Sequence, residues 1–160
     1  MRILLVYCHP VPESFCAALR DEAAGTLAAR GHEVCIVDLY GEGFDPVLSA
    51  QERRRYNDVP SGPPLVPDHA ANLRWAEALV LVYPTWWYGL PAMLKGWLER
   101  VWVPHATFVM PTATRGSRPG MKNIRKLAVV TTCGASWTMS KIIGEPGRRI
   151  LLRGIRTLCH

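Results

Sequence analysis

The sequence predicts an α/β fold: a doubly wound parallel sheet with helices on both faces, three layers in all. Three observations predict it. Short apolar runs of strand length alternate with longer segments of helical periodicity, the order that builds parallel sheets. Stretches rich in Gly and Pro separate many of these segments. No internal repeat or low-complexity tract interrupts the alternation.

Each element has a local reason. Arg2 to Tyr7 is strongly apolar and stops at His9-Pro10, so it reads as the first strand. Ser14 to Arg30 reads as a helix, with Phe15, Leu19, Ala23 and Leu27 spaced by four, Ser14 as its cap and Gly31 as its stop. Glu33 to Leu39 carries Val34, Ile36 and Val37 and reads as a second strand. Gly41 to Pro67 is irregular apart from a short helix expected over Ser49 to Tyr56. Asp68 is expected to cap a helix running to Glu77. Leu79 to Tyr83 is the third strand and Pro91 to Val101 the helix after it. Pro104 to Asn123 reads as a loop, and Lys126 to Thr132 as the fourth strand. A helix near Ser140 to Leu152 follows, and Ile155 to Cys159 opens a candidate fifth strand.

Composition bounds the function. The 160 residues make one domain of ordinary size. A hydrophobic fraction of 49% against 20% charged residues supports a packed core and excludes intrinsic disorder. No apolar run approaches the roughly 18 residues that span a bilayer, and the apolar start is too short for a signal peptide. The cysteines at 8, 16, 35, 133 and 159 are odd in number and form no C-x-x-C pair. Neither a disulfide framework nor a metal site is indicated, and a reducing cytoplasm is the expected location. The net charge of +6 reads as a solvated surface or as attraction for phosphorylated small molecules. No nucleic-acid module is recognisable, so nucleic acid is not an expected partner.

Three loops follow strand ends, where open α/β sheets bind ligands. In the first, Cys8 to Phe15, the N–H groups that open a helix can hold a phosphate, with Ser14 and His9 as further donors. An ordinary turn capped by Ser14 is the alternative. No G-x-G-x-x-G follows the first strand, so a dinucleotide fingerprint is absent. In the second loop, Pro84-Thr85-Trp86-Trp87-Tyr88-Gly89, three adjacent aromatics can stack on a planar ring and exclude water. A hydrophobic corner is the alternative, and the flanking prolines favour a shaped ligand wall. The third loop, Thr131-Thr132-Cys133-Gly134-Ala135-Ser136-Trp137, offers small residues for close backbone approach and hydroxyls for hydrogen bonding. Together the loops offer a phosphate pocket, an aromatic wall and a polar edge, which suits a flavin.

At these residues the chain resembles the flavodoxin-like NAD(P)H:quinone oxidoreductases, of the DT-diaphorase and modulator of drug activity B type. The strongest match runs from Tyr83-Pro84-Thr85-Trp86-Trp87-Tyr88-Gly89-Leu90-Pro91 through Ala92 to Val101, close to the pattern F-P-x-x-W-[FY]-G-x-P-A-x-L-K-G-W-x-[DE]-R-V. The loops at His9-Pro10 and Thr131-Thr132 match in order, and the likeness reaches about Gly144. It implies a five-stranded parallel sheet, a homodimer, and FAD as cofactor, with FMN the alternative. Residues 1–160 would then be a single flavodoxin-like domain lacking its closing C-terminal helix. It also implies a ping-pong cycle in which hydride passes from NAD(P)H through the flavin to a quinone-like acceptor, with no membrane insertion.

Carried onto this chain, His9, Ser14, Phe15 and Cys16 would surround the flavin phosphate. Pro84, Thr85, Trp86, Trp87 and Tyr88 would line its ring, and Thr131, Thr132, Cys133 and Gly134 its pyrimidine side. Trp137 and Ile143 stand where the pattern has a Tyr and a His. No side chain is therefore assigned as catalytic, and backbone electrostatics would carry the chemistry. A regulatory flavoprotein subunit of a membrane transport system and a flavodoxin-type electron carrier are the competing functions. The basic charge disfavours the carrier.

Overall fold

The structure is a computed structural model and describes residues 1–58 and 66–160. Its main sheet contains β1 (Arg2–Tyr7), β2 (Glu33–Asp38), β3 (Ala78–Thr85) and β6 (Lys126–Cys133), all parallel, in the order β2-β1-β3-β6. The helices are α1 (Phe15–Ala29), α2 (Ala50–Arg55), α3 (Pro67–Trp75), α4 (Ala92–Val101), α5 (Trp137–Ile143) and α6 (Pro146–Arg149). A small antiparallel pair, β4 (Phe108–Val109) and β5 (Arg118–Pro119), lies within the expected loop.

Period-two alternation sorts the central strands onto two cores. Ile3, Leu5, Tyr7, Val80 and Val82 pack under α1. Leu4, Val6, Leu79, Leu81 and Tyr83 pack on the other side with Leu94, Trp97 and Leu98 of α4. Because β1 and β3 are buried on both faces, they read as unbroken apolar runs. From β1 the chain steps out to β2, then returns past β1 to β3. This reversal puts a topological switch point at the carboxyl ends of β1 and β3, the place where open sheets of this kind bind ligands.

Ser14 caps α1 as expected, and Gly31 leaves it with φ 77°. The buried stripe of α1 is Cys16, Leu19, Ala23 and Leu27, not one starting at Phe15, which is 72% exposed. Ser49 closes a capping box on α2 through Glu52. The expected irregular stretch includes residues 59–65, which lie outside the described residues. Asp68 does not cap α3. Pro67 takes the first helical position, with φ pre-set for it, and Asp68 falls inside the first turn. Gly96 lets α4 meet the loop after β2: a Cβ there would fall 2.2 Å from the Pro46 carbonyl oxygen.

Two expectations for the C-terminal part change. The helix expected over Ser140 to Leu152 starts earlier, at Trp137 under a Ser136 cap, and stops at Gly144, whose φ is 90°. Pro146 then opens α6, and a π-turn follows over Ile150–Gly154. The expected fifth strand is absent: Ile155–Leu158 forms a 3-10 turn, so the main sheet has four strands among the described residues. The reason is a helical stripe. Leu151, Ile155, Leu158 and Cys159 recur at helical spacing and face the core together, which overrides the local strand propensity of Ile155.

Candidate functional site

The first loop leaves β1 at Tyr7. Cys8 extends the sheet, its N–H donating to the Val82 carbonyl at 3.0 Å. Burial pushes its thiol up to about 12, which makes Cys8 inert at neutral pH. The Val11 N–H donates to His9 Nδ1 at 3.0 Å, so the proton of a neutral His9 ring sits on Nε2 and is free to donate outward. Ser14 Oγ accepts from the Ala17 N–H at 3.1 Å. The N–H groups of Phe15 and Cys16, the first two of α1, have no acceptor within the helix. Cys16 turns its side chain into the core, 2% exposed, and brings only this N–H to the loop.

The second loop is a tight turn. β3 carries Pro84 and Thr85 as strand residues, and the Gly89 N–H donates to the Trp86 carbonyl at 3.0 Å. Both central residues are left-handed: φ is 48° at Trp87 and 62° at Tyr88. Large side chains rarely adopt this conformation. The turn throws Trp87 out into solvent, 96% exposed, and leaves Trp86 41% exposed. The Trp86 ring lies 5.8 Å from the His9 ring, tilted by 57°, which joins the first two loops.

Thr131, Thr132 and Cys133 are strand residues of β6, paired with Tyr83, Pro84 and Thr85. The Thr85 and Thr131 hydroxyls share a hydrogen bond of 2.8 Å. Gly134 and Ala135 form the turn, and Ser136 caps α5. Between the second and third loops opens a cleft of about 540 Å³, walled by residues 85–88 on one side and 133–135 on the other. Trp137 is not part of that wall. It is 74% exposed on the first turn of α5, with Lys141 Nζ 5.7 Å from its ring centre.

A second cavity, of about 230 Å³, adjoins the cleft and shares Thr85, Tyr88 and Cys133 with it. Tyr83, Ser140, Glu145 and Arg148 help line it, and sequence reasoning singled out none of these four for the site. Tyr83 was legible only as the residue that opens the aromatic motif. Glu145 and Arg148 arrive through α6, whose position no local pattern encodes. Hydrogen bonding to Lys141 holds the Glu145 carboxyl below its usual range, with the charges of Lys141 and Arg148 adding to the effect. Among the described residues, no group of three or more His, Cys, Asp or Glu is placed to hold a metal.

A flavin fits these residues chemically. Helix N–H donors and the His9 Nε2 proton suit a phosphate, exposed aromatics suit a planar ring, and small residues at 133–135 let a polar ring edge reach the backbone.

A family model described as flavodoxin-like fold matches residues 1–159. The chain is 35% identical over 162 residues to an uncharacterized NAD(P)H oxidoreductase of Haemophilus influenzae, covering 99% of this chain and 78% of that protein. It is 33% identical over 168 residues to NAD(P)H dehydrogenase (quinone) 1 of Rattus norvegicus, covering 91% of this chain and 58% of the relative. Among solved structures, the NAD(P)H:quinone oxidoreductase of Methanothermobacter marburgensis superposes with a TM-score of 0.80 at 27% identity, covering 99% of this chain and 80% of that one. The chain spans only 44% to 58% of the length of several curated relatives.

Proposed function

The chain belongs to the flavodoxin-like family, and on that premise we propose that it is a flavin-dependent NAD(P)H dehydrogenase that reduces a quinone-like acceptor. One observation carries the proposal: the aromatic cleft opens at the carboxyl ends of β3 and β6, next to the switch point between β1 and β3, with the unpaired donors at the start of α1 on the neighbouring loop. The cofactor in this reading is FAD, with FMN the alternative. A flavin held there supplies the redox chemistry, passing two electrons from NAD(P)H to the quinone, which leaves as hydroquinone after gaining two protons.

The protein's part is binding, orientation and charge. The N–H groups of Phe15 and Cys16, the Ser14 hydroxyl and His9 Nε2–H meet the phosphate. Pro84, Thr85, Trp86, Trp87 and Tyr88 shape the ring site and exclude water from one side. Thr131 and Thr132 offer hydroxyls to the pyrimidine edge, and the backbone of Cys133 and Gly134 offers N–H groups to charge that develops there. Trp137 contributes at the rim. No side-chain acid or base is required of any of them.

The proposal includes a homodimer in the cytoplasm. Phe15, Trp87, Trp137 and Ile142 are 72%, 96%, 74% and 72% exposed, large apolar side chains that a second copy would cover in this reading. All five cysteines are free, which suits a reducing compartment. No helix among the described residues is long and apolar enough to cross a membrane.

The test is reconstitution with FAD or FMN, followed by NAD(P)H oxidation with and without added quinone. Bound flavin absorbance and quinone-dependent oxidation are expected. A protein that takes up neither flavin is not this enzyme. One that binds flavin but oxidises no NAD(P)H matches the regulatory-subunit reading.

A further inference from the structure

Charge is divided unevenly along the chain. Residues 101–160 carry ten Lys and Arg against one acidic residue, Glu145, whereas residues 1–100 carry nine against twelve. Lys141 and Arg148 share Glu145. Among the described residues, the other eight cations of this segment have no ion-pair partner.

Tertiary packing gathers part of this charge onto one face. Arg118 lies on β5, opposite Val109 of β4. The Met121 N–H donates to the Leu158 carbonyl and the His160 N–H to the Ile124 carbonyl, both at 3.0 Å, which lays Lys122 and Arg125 beside Arg156. Met121 and Ile124 turn into the core and leave Lys122 and Arg125 exposed. Asn123 Nδ2 donates to the carbonyls of Leu73, Arg74 and Ala76, so the end of α3 and the exposed Arg74 lie alongside. Glu77 is the neighbouring acid, and Arg2 occupies it through its N–H at 2.9 Å and its guanidinium at 3.8 Å. Arg74, Arg118, Lys122, Arg125 and Arg156 therefore stand together without anions of their own. Like charges gathered this way repel one another, and an anionic partner would offset that cost.

The position of the face narrows the partner. Arg125 directly precedes β6, at the amino end of the strand, whereas Cys133 at the carboxyl end walls the aromatic cleft. At ~3.3 Å per residue the two ends lie roughly 23 Å apart, so a partner on the basic face leaves the cleft open. The exposed Phe15, Trp86, Trp87 and Trp137 all belong to the loops and helix starts at the cleft end. Single-stranded nucleic acid is bound by cations interleaved with stacking aromatics, and a protein partner by buried aromatic or apolar anchors. Among the described residues the basic face offers neither, only Val109 at 38% exposure. Dispersed cations around one small apolar side chain suit a fluid anionic surface, whose headgroups move to meet them.

We propose that this face docks the protein peripherally on an anionic lipid bilayer, with the aromatic cleft turned to the aqueous side. The inference is independent of the flavin reading. Sedimentation with lipid vesicles tests it. The wild type should pellet with vesicles of about 30% phosphatidylserine in about 0.05 M salt, and stay in solution in about 0.5 M salt or with phosphatidylcholine alone. Each cation removed should weaken binding about fivefold, so Arg118→Gln/Lys122→Gln/Arg156→Gln should lose about 100-fold. The charge-preserving Arg118→Lys/Lys122→Arg/Arg156→Lys should bind within about twofold of wild type, which separates lost charge from lost structure. Adding Glu13→Gln/Glu22→Gln/Asp58→Asn to the neutralised variant returns the net charge to its starting value without rebuilding the face, and should not restore binding. Three results each overturn the proposal: a wild type that ignores anionic vesicles, a neutralised variant that keeps its affinity, or binding restored by net charge alone. Tighter binding to a single-stranded oligonucleotide than to the vesicles at equal salt also overturns it, in favour of nucleic acid.

Discussion

The strained turn at Trp87 allows a test that separates folding from binding. Trp87 sits at φ 48° and is 96% exposed. A left-handed conformation costs an ordinary L-residue about 1–2 kcal/mol, whereas Asn tolerates it. Of the ~250 Å² a tryptophan can bury, only about 10 Å² is covered here, worth about 0.3 kcal/mol at ~25 cal/mol per Å². Trp87→Asn should therefore stabilise the flavin-free protein by about 1 kcal/mol. For a chain of this length that raises Tm by about 2–4 °C. The same change removes a ring from the proposed flavin wall. One lost aromatic contact of about 0.5–1.5 kcal/mol weakens flavin binding by roughly 2- to 12-fold. Thermal melts followed by circular dichroism read the first effect, and titration by flavin fluorescence quenching reads the second. Melts at two protein concentrations show whether a second copy contributes. A lower Tm refutes the strain argument. A higher Tm with unchanged flavin affinity refutes the role of Trp87 in the wall and leaves the strain argument standing.

Gly96→Ala should destabilise the fold by about 3 kcal/mol, measured by urea unfolding, because the new Cβ meets the Pro46 carbonyl oxygen at 2.2 Å and both are backbone-anchored. Ser14→Ala should lower stability by about 1 kcal/mol through loss of the α1 cap, and flavin affinity should fall with it. His69 accepts a hydrogen bond from Trp97 Nε1 at 3.2 Å, and its pKa is lowered by burial first and by Arg100 second, against an opposing pull from Asp68. The unfolded chain therefore binds the proton more readily, near its ordinary value of about 6.5. The His69 contribution to stability is present above that pH and is lost as pH falls through it toward the lower folded value. Urea midpoints of wild type and His69→Gln should converge as pH drops from 7.5 to 5.5. Midpoints that keep a constant separation would show that His69 is not held neutral.

Local patterns carried most of the layered architecture. The strand at Leu79 to Val82 and the helix at Ala92 to Val101 needed only apolar runs and periodicity, because a strand buried on both faces has few other readings. The loops were legible for a similar reason: prolines, glycines and adjacent aromatics at strand ends leave little core role for those side chains. Cys16 was read as a phosphate neighbour, yet one step around α1 from Phe15 turns its thiol into the core. That outcome depends on which face of the helix meets the sheet: the spacing of four named Leu19, Ala23 and Leu27 correctly, but its first member is Cys16 and not Phe15.

By itself, then, the sequence determined the alternation of strands and helices, the three loops and the family they resemble. The tertiary structure decided how those loops meet. Thr85 and Thr131 are 46 positions apart, and parallel register between β3 and β6 brings their hydroxyls to 2.8 Å. Tertiary packing also decided that the segment after Leu151 stays helical, because its apolar side chains find a core on one face. The Trp87 turn with its left-handed φ and the cavity beside Tyr83 likewise exist only in three dimensions. Propensity acts over a few residues, whereas register, strain and enclosed space depend on what distant parts of the chain place alongside.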